Sequence, residues 1–217
     1  MKQRVFVTGA TGGMGFASLK EMLKDTDKQD IVILARDSEK NRNILKPYTE
    51  TPGLEIVWGD LNNYDDVLKC VKGCDLILHI AAFVSPAADY YPKQAMKVNY
   101  GSTRNIISAI YELGQQERTR PVYIGTVAET GDRMPPVHWG RVGDPIKPSM
   151  FDYYAVSKVA AERLVIESGL KYWVSLRQTG IIGRAMAEIE DAIMFHNCFD
   201  NVLEYCSDRD SARAMKN

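Results

Sequence analysis

The stretch Arg4-Val5-Phe6-Val7-Thr8-Gly9-Ala10-Thr11-Gly12-Gly13-Met14-Gly15 constrains this chain more than any other. A short apolar run leads into glycines at 9, 12 and 15, and residues 16–23 continue with helical spacing. Strand, glycine turn and helix form the context of a dinucleotide fingerprint. Gly9 lets the chain leave the strand in a tight turn. Gly12 removes a Cβ where backbone must approach a pyrophosphate, and Gly15 lets the helix pack close to the strand. The unpaired N–H groups of the first helical turn then face the phosphates. Gly9, Thr11, Gly12, Gly13, Met14 and Gly15 are therefore candidate cofactor contacts. A glycine-rich loop without a ligand is the plainer alternative.

Strand-like and helix-like segments alternate downstream. Val5–Val7, Ile31–Ala35, Leu54–Trp58, Asp75–Ala81, Val122–Gly125 and Tyr172–Arg177 are apolar runs of strand length. Gly13–Lys24, Ser38–Leu45, Tyr64–Lys72, Tyr91–Leu113 and Phe151–Ser168 carry helical patterns, and Gly73 stands at a helix C-cap position. Such repeats predict an α/β fold, a doubly wound parallel sheet with helices on both faces. Ligands in such sheets bind at the carboxyl ends of the strands. No low-complexity linker divides the 217 residues. Residues 1–183 read as the binding and catalytic core, and 184–217 as a partial extension of the same domain. The least regular stretch, Glu129–Ser149, borders the carboxyl edge of strand five, where a long loop is a functional element.

The net charge is −1, which argues against nucleic acid or an anionic membrane as partner. No apolar run approaches membrane-spanning length and the first residues leave no room for a signal peptide, so a cytoplasmic chain is expected. Cys70, Cys74, Cys198 and Cys206 fit no zinc spacing; no metal site is expected, and the thiols read as reduced.

The end of strand two selects the nucleotide. A carboxylate there accepts bonds from ribose hydroxyls, whereas a cation neutralises a 2′-phosphate. Here the chain reads Ala35-Arg36-Asp37, with Lys40 one turn on. Arg36 favours NADP, with NAD as the alternative; Asp37 either caps the next helix or binds ribose. After strand three, Asp60 can accept the adenine amino group while Leu61 packs on the ring, or Asp60 can serve as a helix N-cap. Ala81 and Ala82 leave room for a ribose or nicotinamide against the backbone. The catalytic pattern is Tyr154 with Lys158, four residues apart on one helix face. An ammonium near the phenol is expected to lower its pKa and yield an acid/base group. Thr126 offers a second hydrogen bond to the same substrate oxygen. Asn99, polar on an apolar helix, can hold a water or a backbone group in a proton relay.

Taken in order, Thr8–Gly15, Gly59-Asp60-Leu61, His79-Ile80-Ala81-Ala82, Val98–Thr103, Tyr154–Lys158 and Leu176–Gly183 resemble the extended branch of the short-chain dehydrogenase/reductase superfamily. That branch includes nucleotide-sugar epimerases and dehydratases, dihydroflavonol reductases and 3β-hydroxysteroid dehydrogenases. The resemblance implies a Rossmann fold. It makes Tyr154 the acid/base, Lys158 the residue that binds the nicotinamide ribose, Thr126 the hydroxyl partner and Asn99 the helix-four asparagine. It places Gln178, Thr179, Gly180 and Ile181 along the nicotinamide, although related chains usually carry proline at 178. The threonine-acid-acid triplet of dehydratases is missing, since Val127 and Ala128 follow Thr126. Extended members are normally longer, so a truncated or minimal C-terminal substrate lobe is expected, with a helix over Ile189–Asn197 and a strand and helix within 202–214. His138, Trp139 and Arg141 either line a pocket or pack the loop. The readings that follow are an NAD(P)-dependent oxidoreductase of a small-molecule carbonyl or alcohol, a nucleotide-sugar epimerase with retained NAD, and a non-catalytic NADP sensor or scaffold. A homodimer through helices four and five is a further expectation.

Overall fold

The computed structural model describes residues 2–131, 140–183, 186 and 204–216. His138, Trp139 and the helix expected over 189–197 lie outside them. Six parallel strands form the main sheet in the order β3-β2-β1-β4-β5-β6. They are β1 (Gln3–Thr8), β2 (Gln29–Ala35), β3 (Leu54–Trp58), β4 (Leu76–His79), β5 (Arg120–Thr126) and β6 (Val174–Gln178). The order reverses between β1 and β4, and this opens a crevice at the strands' carboxyl ends.

Both sheet faces are covered at its centre, so the inner stretches of β1, β2 and β4 run apolar rather than alternating. Val5 and Val7 join Ile31, Ile33, Leu78 and Ile124 in one core, while Phe6 joins Val32, Leu34 and Ile77 in the other. The first core is roofed by α1 (Gly13–Met22) through Leu19 and Met22. The second is roofed by α3 (Tyr64–Val71) and α6 (Gly101–Glu112). The registers Val5↔Ile31 and Val5↔Leu76 keep like-facing side chains in rows across β2, β1 and β4.

Short polar side chains set the helix starts. Ser38 caps α2 (Glu39–Leu45), Asn63 caps α3 and Asp152 caps α7 (Tyr153–Ile166). Asp37 and Asp60 are therefore not the caps that the sequence allowed. The long helix expected from Tyr91 begins one residue later. Tyr91 is non-helical and follows the single turn α4 (Ala87–Tyr90), and Pro92 opens α5 (Pro92–Ala95). The path continues into α6 through a π-helical turn, Met96–Tyr100. That turn carries Asn99 inward, and π turns are frequent at functional sites.

Past β6 the chain adds a small parallel pair, β7 (Gly180–Ile182) with β8 (Tyr205–Ser207), and then α8 (Asp208–Lys216). This matches the strand and helix expected within 202–214 over the described residues. Met215 joins the first core, α8 lies along α1, and Lys216 pairs with Asp25. Among the described residues no helix is long and apolar enough to cross a membrane.

Candidate active site

The glycine turn shows why its residues carry no side chains. Gly9 has φ +72°, and a Cβ there would lie 2.8 Å from the Ala81 nitrogen. A Cβ on Gly15 would lie 2.0 Å from the Gly9 carbonyl oxygen. Gly12 differs, since a Cβ there would meet only the Gly9 oxygen, at 3.4 Å. The protein barely crowds Gly12, so its missing side chain serves the open side of the turn. Gly12 is also the N-cap of α1 and brings no side chain to the first-turn N–H groups. That is a bare, donor-rich cradle suited to a pyrophosphate.

The cradle opens into a cleft of about 660 Å³ along the carboxyl ends of the strands. Gly9, Thr11, Gly12, Gly13, Met14 and Gly15 line one end, with Arg36, Lys40, Asp60 and Leu61 beyond them. Ala81, Ala82, Thr126, Tyr154, Lys158, Gln178, Thr179 and Ile181 line the rest. Gly180 lines a second cleft of about 610 Å³ instead. Val84, Thr126, Tyr154, Thr179 and Ile181 belong to both, so the two spaces share a wall. Asn99 lines neither. Its Oδ1 accepts the Phe83 N–H at 2.7 Å, and its Nδ2 donates to the Phe83 carbonyl and to Ser157 Oγ. It thus holds a backbone group, as one of its expected roles required, and ties the loop after β4 to α7.

Two carboxylates at the far end differ from expectation. Asp37 is gripped by Arg42 at 2.5 and 2.7 Å, and the Arg42 guanidinium stacks on Trp58. Asp60 Oδ1 accepts from the Asn62 backbone and side-chain amides. Its own N–H donates to Asp66, whose carboxylate occupies the space a Cβ on Gly59 would need.

Tyr154 and Lys158 reach the same cleft, but their electrostatics run against the simple reading. Lys158 is buried; its Nζ donates to the Ile124 carbonyl at 2.6 Å and sits 4.2 Å over the Tyr123 ring. Burial pushes its pKa down to about 8, opposed by the neighbouring carboxyl groups of Glu129 and Glu162. Tyr154 is half-buried and shares the cleft wall with Thr126. Burial pushes the phenol up to about 12; the nearby Thr126 hydroxyl pulls it down, and Glu129 and Asp152 add to the rise. The expected lowering by Lys158 is not found, because that ammonium is turned to Ile124 and Tyr123. In this state Tyr154 is a proton donor.

Sequence reasoning missed the layer beneath. His79 bonds Thr8 through Nδ1 and Thr103 through Nε2, both at 3.0 Å, and burial lowers its pKa to about 3, so it is neutral. Thr8 Oγ1 in turn accepts the Ala81 N–H, which places Ala81 against Gly9. Below Thr126 lie Glu129, Glu162 and Arg177. The spacing Thr126-Val127-Ala128-Glu129 is that of a capping box, and both halves form. Glu162, four residues past Lys158, shares its helix face. Those spacings were the available signals. Among the described residues no cluster suited to a metal ion occurs, and Cys70 and Cys74 are buried free thiols.

The sequence model of the NAD dependent epimerase/dehydratase family matches residues 5–205. The chain belongs to that family. A 3-beta-hydroxysteroid dehydrogenase of Mycolicibacterium neoaurum is 30% identical over 209 residues, covering 92% of this chain and 52% of its own length. A UDP-glucose 4-epimerase of Rickettsia akari (strain Hartford) is 32% identical over 109 residues, 48% of this chain and 32% of its own. The chain thus spans about half the length, or less, of these epimerase/dehydratase relatives. Two solved structures share the fold. DesIV, a dTDP-glucose 4,6-dehydratase from Streptomyces venezuelae with NAD and TYD bound, has a TM-score of 0.79 at 21% identity, covering 98% of this chain and 70% of its own. The UDP-glucose 4-epimerase of Thermus thermophilus in complex with NAD has 0.78 at 21%, covering 99% and 73%.

Gly15→Ala tests how this family member builds its turn. The methyl group cannot fit without moving α1 off β1, so a loss of about 1–3 kcal/mol is expected in urea unfolding. Unchanged stability would show that the turn has slack.

Proposed function

We propose that the chain is an NAD(P)-dependent oxidoreductase that interconverts a carbonyl and a secondary alcohol, with Tyr154 as the acid/base. The observation that carries this reading is that Tyr154 and Thr126 stand together on the wall shared by two clefts. One cleft has a glycine floor, and the other accepts a small molecule.

The residues present fit a dinucleotide. The Gly9–Gly15 backbone would receive the pyrophosphate, Asp60 and Leu61 the adenine, and Ala81 and Ala82 the region between. Lys158 and residues 178–181 would hold the nicotinamide half. When bound, the nicotinamide supplies or accepts the hydride. Tyr154, protonated below about pH 12, donates its proton to the oxygen of a carbonyl being reduced. Thr126 steadies the same oxygen. Asn99, bonded to Phe83 and Ser157, keeps the two sides of the site in register.

Arg36 lines the adenosine end, and the neighbouring carboxylate of Asp37 is taken up by Arg42. Both observations support NADP; the NAD in the Thermus thermophilus structure keeps NAD as the alternative. Val84, Val127, Ala128 and Ile181 give the second cleft apolar contacts beside the polar Ser85, Ser149, Asp152 and Thr179. The apolar contacts support a ketone or alcohol with an apolar portion, in line with the hydroxysteroid dehydrogenase that matches 92% of the chain. With Val127 and Ala128 in place of acids, nothing there supports dehydration. Exposed Tyr111, Val156 and Ile166 on α6 and α7 support a homodimer through these helices.

Three outcomes are expected. Tyr154→Phe lowers kcat on a ketone panel by about 10²–10⁴-fold and leaves NADPH fluorescence titrations unchanged; a retained rate sinks the mechanism. Arg36→Ala weakens NADPH about tenfold relative to NADH, equivalent to about 1.4 kcal/mol, in the same titration. Equal losses for the two cofactors would remove the NADP assignment. Light scattering gives a dimer mass at micromolar concentration, and a monomer mass would end the homodimer reading.

A further inference from the structure

Two carboxyl groups are buried together beneath Thr126. Glu129 has no exposed surface, and Glu162 is 1% exposed. Glu162 is fully occupied as an anion: Arg177 reaches its Oε2 at 2.7 Å, Arg177 Nε reaches Oε1 at 3.2 Å, and Ser175 Oγ donates to Oε1. Glu129 is not so provided. Its Oε1 accepts the Thr126 N–H at 3.0 Å, but its Oε2 meets no donor, with Arg177 Nε at 3.5 Å. The other buried cation, Lys158, donates to Ile124. The two carboxyl groups flank one nitrogen, Arg177 Nε, which lies 3.5 Å from Glu129 Oε2 and 3.2 and 3.3 Å from the two Glu162 oxygens, so they are close neighbours. Two carboxylates cannot bond each other; an acid and a carboxylate can. Gly125 makes the arrangement possible, since a Cβ there would lie 3.0 Å from Glu129 Oε1.

We infer that Glu129 is a positioning residue held as the neutral acid: its O–H donates to the Glu162 carboxylate while its other oxygen accepts the Thr126 N–H, fixing the Thr126 hydroxyl beside Tyr154. Its surroundings agree. Burial and the Glu162 partner push Glu129 up to about 8, opposed by the Thr126 N–H and the Lys158 charge. The titratable and charged groups around it are Tyr154, Lys158 and Glu162 on α7, Tyr123 on β5 and Arg177 on β6. From the returning loop, Lys147 contributes its backbone N–H to the Glu129 carbonyl. Loss of the proton sets two carboxylates against each other, which loosens Thr126. It also puts a negative charge near Tyr154, which makes the phenol harder to ionise. Both effects reduce turnover.

The catalytic consequence rests on the Tyr154 reading; the buried proton does not, and the test separates them. The full chain is compared with Glu129→Gln, which keeps an acceptor for Thr126 and a donor for Glu162, and with Glu129→Ala, which keeps neither. Infrared difference spectra taken across about pH 8 should show a protonated-carboxyl band lost in the wild type and absent from Glu129→Gln. Stability gives a second reading. The folded chain retains a proton that the unfolded chain releases between the ordinary carboxylate range and about 8, so wild-type stability falls as pH rises through that window. Glu129→Gln loses this slope, and its melting temperature gains on the wild type as pH rises. In ketone reduction with NADPH, Glu129→Gln recovers the rate that Glu129→Ala loses. No titrating carboxyl band in the wild type, or the same band in Glu129→Gln, overturns the inference. So does a failure of Glu129→Gln to recover the rate that Glu129→Ala loses. If no ketone is reduced by any form, the oxidoreductase reading fails while the infrared and melting results still decide the proton.

Discussion

Everything at the carboxyl edge depends on one steric fact: no methyl group fits between the glycine turn and its neighbours. Gly15 brings α1 onto the Gly9 carbonyl, and Gly9 presses against the Ala81 backbone. The first contact sets the height of α1 above β1, and the second ties the end of β1 to the end of β4. Between them they fix where the strand order reverses and how wide the crevice is. Thr8 and the neutral His79 brace the same junction from below, by carrying the Ala81 N–H.

The cleft is lined by charged groups, Arg36, Lys40, Asp60, Lys158 and Asp208, but the proton donor at its shared wall is neutral. His79 is buried as a neutral ring, Tyr154 is a neutral phenol, and Lys158 is the cation nearest the reacting end. A neutral donor beside a buried ammonium suits a step in which negative charge develops on a substrate oxygen, because the field is arranged before that charge forms. Glu162 and Arg177 neutralise each other one layer down, where their charges can hold backbone in place with little effect on the cofactor cleft.

The sheet was legible in the sequence because strands buried on both faces, such as 31–35 and 76–78, are apolar without interruption. The glycine turn was legible because its steric demands admit few residues. The break at Tyr91 was harder to read, since 91–113 keeps a helical pattern and only Pro92 hints that the helix starts afresh. Capping was one of two roles open to Asp37 and to Asp60, because the residue type permits it; Arg42 and Asn62, which claim them, become neighbours only after the chain has turned. The pKa of Tyr154 was misjudged for a related reason. Spacing puts Lys158 on the right helix face but cannot show that the Ile124 carbonyl takes its ammonium. The pairing of Glu129 with Glu162 spans a loop, a strand and a helix, although the capping-box spacing from Thr126 announced one half of it.

The packing of α8 against α1 ties together segments nearly two hundred residues apart in sequence. Synthesis runs from the glycine turn toward α8, so the turn is made before its brace. Until residues 208–216 arrive, α1 lacks Met215 and the Lys216 clasp on Asp25. The glycine turn therefore leaves the ribosome well before the helix that supports it, and a nascent chain halted before α8 carries the motif without its full support.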